Sequence, residues 1–77
     1  MTEKALLKRI VVNPKIMLGK PVVRRTWLTV EIVVEKIAYG TTVEAMQKDY
    51  PFTTTDDIRA ALLYAAKSLA HEEIYAA

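Results

Sequence analysis

Val30, Val33, Val34 and Ile37 recur at the i, i+3, i+4, i+7 spacing that places apolar side chains on one face of a helix. Thr29 stands before them as an N-cap, Glu31 suits the positive helix N-terminus, and Gly40 supplies the residue that stops the helix. A second, short helix opens at Thr42, or at Thr41 with Glu44 completing a capping box, and turns Val43, Met46 and Tyr50 inward until Pro51 ends it. The third helix is the longest. Thr54 and Asp57 have the Thr-x-x-Asp spacing of a capped start, and Ile58, Ala61, Leu62, Ala65 and Leu69 form its core stripe. Leu63, Tyr64 and Ala66 extend the apolar surface around this helix, which therefore needs cover from two sides and points to a partner.

Upstream of Thr29 the pattern changes. Arg9-Ile10-Val11-Val12 reads as a strand stopped by Asn13-Pro14, and Pro21-Val22-Val23-Arg24-Arg25 as a second strand. The segment between them is a loop in which Gly19 can take a positive φ. A lone hairpin is marginal in water, so this ribbon must pack on the helices or pair with a second copy. The fold class expected is mainly α: one domain over residues 1–77, with a β-ribbon at 9–25 and a three-helix, helix-turn-helix-like (homeodomain-like) bundle at 30–70, assembled as a dimer.

Composition strengthens the case for association. Seventy-seven residues make one marginal core, yet 52% of them are hydrophobic. Cysteine is absent, which removes disulfides and thiolate metal sites and fits a reducing cytoplasm. No secretory h-region or membrane-spanning run stands out, no uncharged stretch being longer than Ala60 to Ala66. The expected setting is cytoplasmic, with no membrane, small-molecule substrate or cofactor. The formal charge of +2 is unevenly spread. Residues 1–29 hold seven cations against Glu3, a net +6; residues 30–77 hold four against eight carboxylates, a net −4. Either the basic third meets an anionic partner, nucleic acid among them, or the halves neutralise each other within a dimer.

Catalytic chemistry finds little material. His71 is the only histidine and sits at a helix end, where a cation complements the dipole. Asp56 and Asp57 are adjacent and do not face each other on a helix; they are first-turn acids. Gly19-Lys20 lacks the surrounding pattern of a phosphate-binding loop. The third helix begins with two carboxylates that DNA would repel, and Arg59 alone does not offset them. If DNA is bound, Lys20, Arg24 and Arg25 on the ribbon carry it, the bland alternative being edge charges that discourage aggregation. Trp27, the single tryptophan, is expected to plug the junction between ribbon and bundle, with an exposed interface anchor as the alternative.

The string Asn13-Pro14-x-Ile16-x-x-Gly19-Lys20-Pro21-Val22-Val23-Arg24, followed by Thr26, Thr29-Val30-Glu31, Gly40, Tyr50-Pro51 and Asp57-Ile58-Arg59-Ala60-Ala61-Leu62-x-Tyr64-Ala65, resembles the prokaryotic family called domain of unknown function 433. The resemblance runs over about residues 9–69. It departs from the family pattern at Arg24-Arg25-Thr26-Trp27, where the family usually carries Arg-Gly-Thr-Arg, and at Thr53, where leucine is typical. The family is similar to homeodomain-like or winged-helix antitoxins whose genes commonly lie beside a toxin with a PIN-like ribonuclease fold. The resemblance implies a non-enzymatic antitoxin that neutralises such a toxin and binds DNA to regulate its own operon. The alternatives are a stand-alone DNA-binding transcriptional regulator and a structural dimerisation module. Trp27, Asp56, Asp57, Tyr64 and Tyr75 are the expected contact residues for a protein partner.

Overall fold

The computed structural model describes the backbone of residues 2–76 and the side chains of residues 2–70. It contains α1 (Glu3–Leu7), β1 (Ile10–Val11), β2 (Val22–Val23), α2 (Val30–Ala38), α3 (Val43–Asp49) and α4 (Thr55–Ala76). It is a mainly helical structure with a small antiparallel hairpin near its start, as the periodicity predicts.

Threonines open all four α-helices. Thr2, Thr29 and Thr42 each accept a hydrogen bond from the backbone N–H three residues on, at Ala5, Ile32 and Ala45. At α4 the exchange is reciprocal: the Asp57 N–H donates to Thr54 Oγ1 at 3.1 Å, and the Thr54 N–H donates to Asp57 Oδ2 at 3.0 Å. Gly40, at φ 91°, ends α2 in a Schellman turn, with the Thr41 N–H donating to Lys36 O and the Gly40 N–H to Ile37 O.

Helix α1 is an element the hydrophobic pattern does not announce. Five residues cannot hold a helix alone. Leu6 is buried, and α1 lies on α4 with Lys67 Nζ 2.9 Å from Glu3 Oε1. With α1 and α2 both packed on α4, part of its broad apolar surface is covered from within the chain, whereas Leu69 of the expected core stripe stays 57% exposed. Ala60 and Ala61, both fully buried, keep α4 slim where these neighbours approach.

The ribbon is shorter than the β-branched runs suggest. Ile10 pairs with Val23 and Val11 with Val22, two residues per strand. Val22 also bridges Thr29 on its other side, so the chain folds back at Arg24–Trp27 and the Val23 N–H donates to Leu28 O. Val22 and Val23 are thereby held between two segments and are buried completely, and each such side chain contributes about 1.5–3 kcal/mol. The core runs from these valines through Leu28, Val30 and Val33 to Met46 and Ile58.

Candidate functional site

The turn from Arg24 to Leu28 decides which side chains leave the core. Thr26 donates its hydroxyl hydrogen to Val23 O at 2.7 Å and accepts from the Leu28 N–H at 3.1 Å. Leu28 returns to the interior, whereas Trp27 between them points outward and is 69% exposed. The junction plug expected of Trp27 is thus overturned: Leu28 fills that place, and the single tryptophan stands on the surface.

Arg25 occupies the left-handed region at φ 63°. Its neighbour in sequence, Arg24, is also exposed, and neither forms an ion pair among the described residues. Beside the turn, the Tyr50-Pro51-Phe52 corner presents two more aromatics. Tyr50 and Phe52 meet edge to face, with centroids 6.0 Å apart at 74°. Lys36 Nζ lies 6.0 Å from the Tyr50 ring centroid. Trp27, Leu28, Ile32, Tyr50 and Phe52 line a mostly apolar concavity of about 480 Å³, with Arg25 at its edge. Across Trp27, Val11, Ile16 and Val22 line a smaller one of about 230 Å³. Trp27 is shared by the two apolar hollows, and Arg25 lines both beside it.

The other predicted positions disperse. Lys20 is exposed and pairs with Glu31 at 2.8 Å. Asp57 is buried, with Oδ1 accepting from Arg9 at 2.9 Å, so it is committed to the interior and does not belong to a contact surface. Asp56 is half-buried, 4.0 Å from Arg9 and 3.6 Å from Arg59. Arg9 therefore joins Arg59 in balancing the two acids at the head of α4, and Arg59 is not alone there. Tyr64 is half-buried and lines a separate groove between α2 and α4. The side chains of His71 and Tyr75 lie outside the described residues. So the structure unites Arg24, Arg25 and Trp27 on one turn and separates them from Lys20, Asp56, Asp57 and Tyr64.

Tyr50, expected on the inner face of α3, does pack partly buried against the core, while Phe52, exposed beside it, is the residue the apolar period misses. The available signal is Pro51, which breaks the helix and sets the two aromatics on a corner. Among the described residues no group of His, Asp and Glu comes together as a metal-ligand set. None of the described helices is long and apolar enough to cross a membrane.

Comparison with known proteins gives a family and a fold. A family model described as "Protein of unknown function (DUF433)" matches residues 10–65. The crystal structure of a DUF433 member protein from Anabaena variabilis superposes with a TM-score of 0.77, at 22% sequence identity, covering 94% of this chain and 71% of that one. No curated protein matches.

Proposed function

The chain belongs to the DUF433 family, and from that premise we propose that it is a non-enzymatic binding protein that captures a protein partner on the surface around Trp27. The observation that carries this reading is the exposed indole beside an apolar, aromatic-lined hollow. Tryptophan, tyrosine and arginine are the residues that dominate protein interfaces, and all three meet here. Exposing Trp27 and Phe52 forgoes the gain from burying them, which a partner's surface would recover. The partner class comes from the resemblance: a PIN-like ribonuclease toxin, neutralised in the cytoplasm by a homodimeric antitoxin. With Asp57 buried, the contact passes from the acidic start of α4 to Trp27 and Phe52.

The test is co-expression with the product of the neighbouring gene. The expected result is relief of growth arrest and co-purification of the two. Trp27→Ala should weaken the complex by at least about 30-fold, the scale of an interface hot spot, while leaving the fold intact. A neighbouring product without toxicity, or toxicity that persists while this protein is abundant and folded, sinks the antitoxin reading.

A DNA-binding regulator is the second reading. Arg24 and Arg25, exposed and without ion pairs among the described residues, favour it. In it the hairpin turn meets DNA while α2–α4 serve as a helix-turn-helix-like support.

A further inference from the structure

The loop before β2 is built around an apolar projection. Met17, Leu18 and Gly19 take φ values of 48°, 57° and 80°, three left-handed residues in succession, two of which are not glycine. Such backbone is costly and persists where its surroundings enforce it. Here Asn13 pins the loop: its side-chain oxygen accepts from the Lys15 N–H at 2.9 Å and its carbonyl from the Ile16 N–H at 2.8 Å. The product is Leu18 held outward at 95% exposure, with Met17 partly exposed beside it and the exposed cations Lys15 and Lys20 on either side.

A matching recess lies next to this projection. Pro21, Val34, Tyr64, Ala65 and Leu69 line an almost wholly apolar groove of about 390 Å³ between α2 and α4, and Glu31 and Glu35 form its acidic rim. The Lys20–Glu31 ion pair of 2.8 Å marks the border between loop and groove. Lys15 and Glu35 form no ion pair among the described residues.

We propose that the Leu18 projection of one chain seats in the α2–α4 groove of a second copy, and reciprocally, forming a two-fold homodimer. This deepens the homodimer part of the reading above and does not depend on the ribonuclease. A two-fold interface uses the same patch on both subunits, so it needs knob and groove close together: Pro21, which follows the knob in the chain, lines the groove, and Lys20 ties the loop to Glu31 on its rim. Charge selects the same occupant. A cation-flanked apolar knob complements an anion-rimmed apolar groove, and Lys15 of one copy meets Glu35 of the other. The Lys20–Glu31 pairs at the border can exchange between subunits without loss of pairing.

Sedimentation equilibrium of the full chain across micromolar concentrations tests the interface, with circular dichroism as the check on folding. The wild type should be dimeric. Leu18→Asp should weaken the dimer at least about 30-fold with helicity unchanged, since the residue touches little within its own chain. Lys15→Glu and Glu35→Lys should each weaken association, and the double exchange in one chain should restore it. A monomeric wild type overturns the homodimer and this interface together. A dimer that survives Leu18→Asp keeps the homodimer and overturns the interface. Loss of ribonuclease co-purification in Leu18→Asp, with the dimer intact, gives the knob to that partner instead and also overturns the proposal. Assemblies larger than the dimer overturn its two-fold closure.

Discussion

Arg25 carries the clearest residue-scale consequence of this structure. It stands where the family usually has glycine, and its φ of 63° explains that preference: an L side chain there crowds the following carbonyl oxygen. Arg25→Gly should therefore raise stability, by up to about 1 kcal/mol once the added freedom of the unfolded chain is subtracted. Arg25→Val should lower it. Urea titration of both variants decides the matter, and a destabilised glycine variant would show that the arginine side chain holds the turn. Asp57 gives the second test. Its carboxylate accepts from Arg9 and from the Thr54 N–H, while its neighbour Asp56 makes only long ion pairs. Asp57→Ala should cost about 2–3 kcal/mol through the lost cap and the charged hydrogen bond, against no more than about 0.5 kcal/mol for Asp56→Ala. Equal losses in the two variants would contradict this division. The acid at the head of α4 is legible from Thr-x-x-Asp spacing alone. Its cation is not, because Arg9 lies 48 residues away in the chain. Trp27 fails for a related reason: sequence places it at the junction but does not say whether it or Leu28 turns inward, a choice made by the two hydrogen bonds of Thr26.

Elements were readable in proportion to how much of their stability is local. Helices α2, α3 and α4 announce themselves because threonine caps, Gly40, Pro51 and an apolar period agree within a few residues. The strands are overextended in the sequence reading because β-branched residues continue where partners do not: Val12 follows Val11 beyond the last pair and is exposed. Helix α1 escapes because five residues offer one buried anchor and no period. Its stability is tertiary, through Leu6 in the core beside α4. It also lies before residue 10, where the family match begins, so it adds to the matched region. Leu6→Ala should accordingly cost about 2–4 kcal/mol, a core-sized loss for a residue in a five-residue helix. Chemical denaturation measures it, and a loss below about 1 kcal/mol, the scale of an ordinary surface change, would mean that α1 decorates α4 without sealing it.

Over the whole molecule, the charge asymmetry of the sequence is partly consumed by folding. Of the seven cations in residues 1–29, Arg9 joins Asp56 and Asp57 and Lys20 joins Glu31, so two pair with the acidic remainder within the chain. In the opposite direction Glu3 joins Lys67. Intrachain pairing thus supplies part of the neutralisation that the sequence left to a dimer, and the basic third is a weaker attractor for polyanions than its +6 implies. This bears on the choice between partners. On the turn that would meet DNA, only Arg24 and Arg25 are free of ion pairs among the described residues. A dimer placing both copies of these arginines on phosphates neutralises four charges, so the slope of log affinity against log salt should be about −4. That is a shallow dependence and corresponds to weak nonspecific binding. Reversal of Arg24 and Arg25 to glutamate should remove it, whereas capture of a protein partner through Trp27 should persist when salt suppresses DNA binding, because apolar burial is not screened. Titration of labelled duplex at several salt concentrations gives the slope, and a parallel pull-down of the ribonuclease gives the contrast. A slope near −8, which four arginines cannot supply, would assign the DNA contact to a wider basic surface and put the regulator reading ahead.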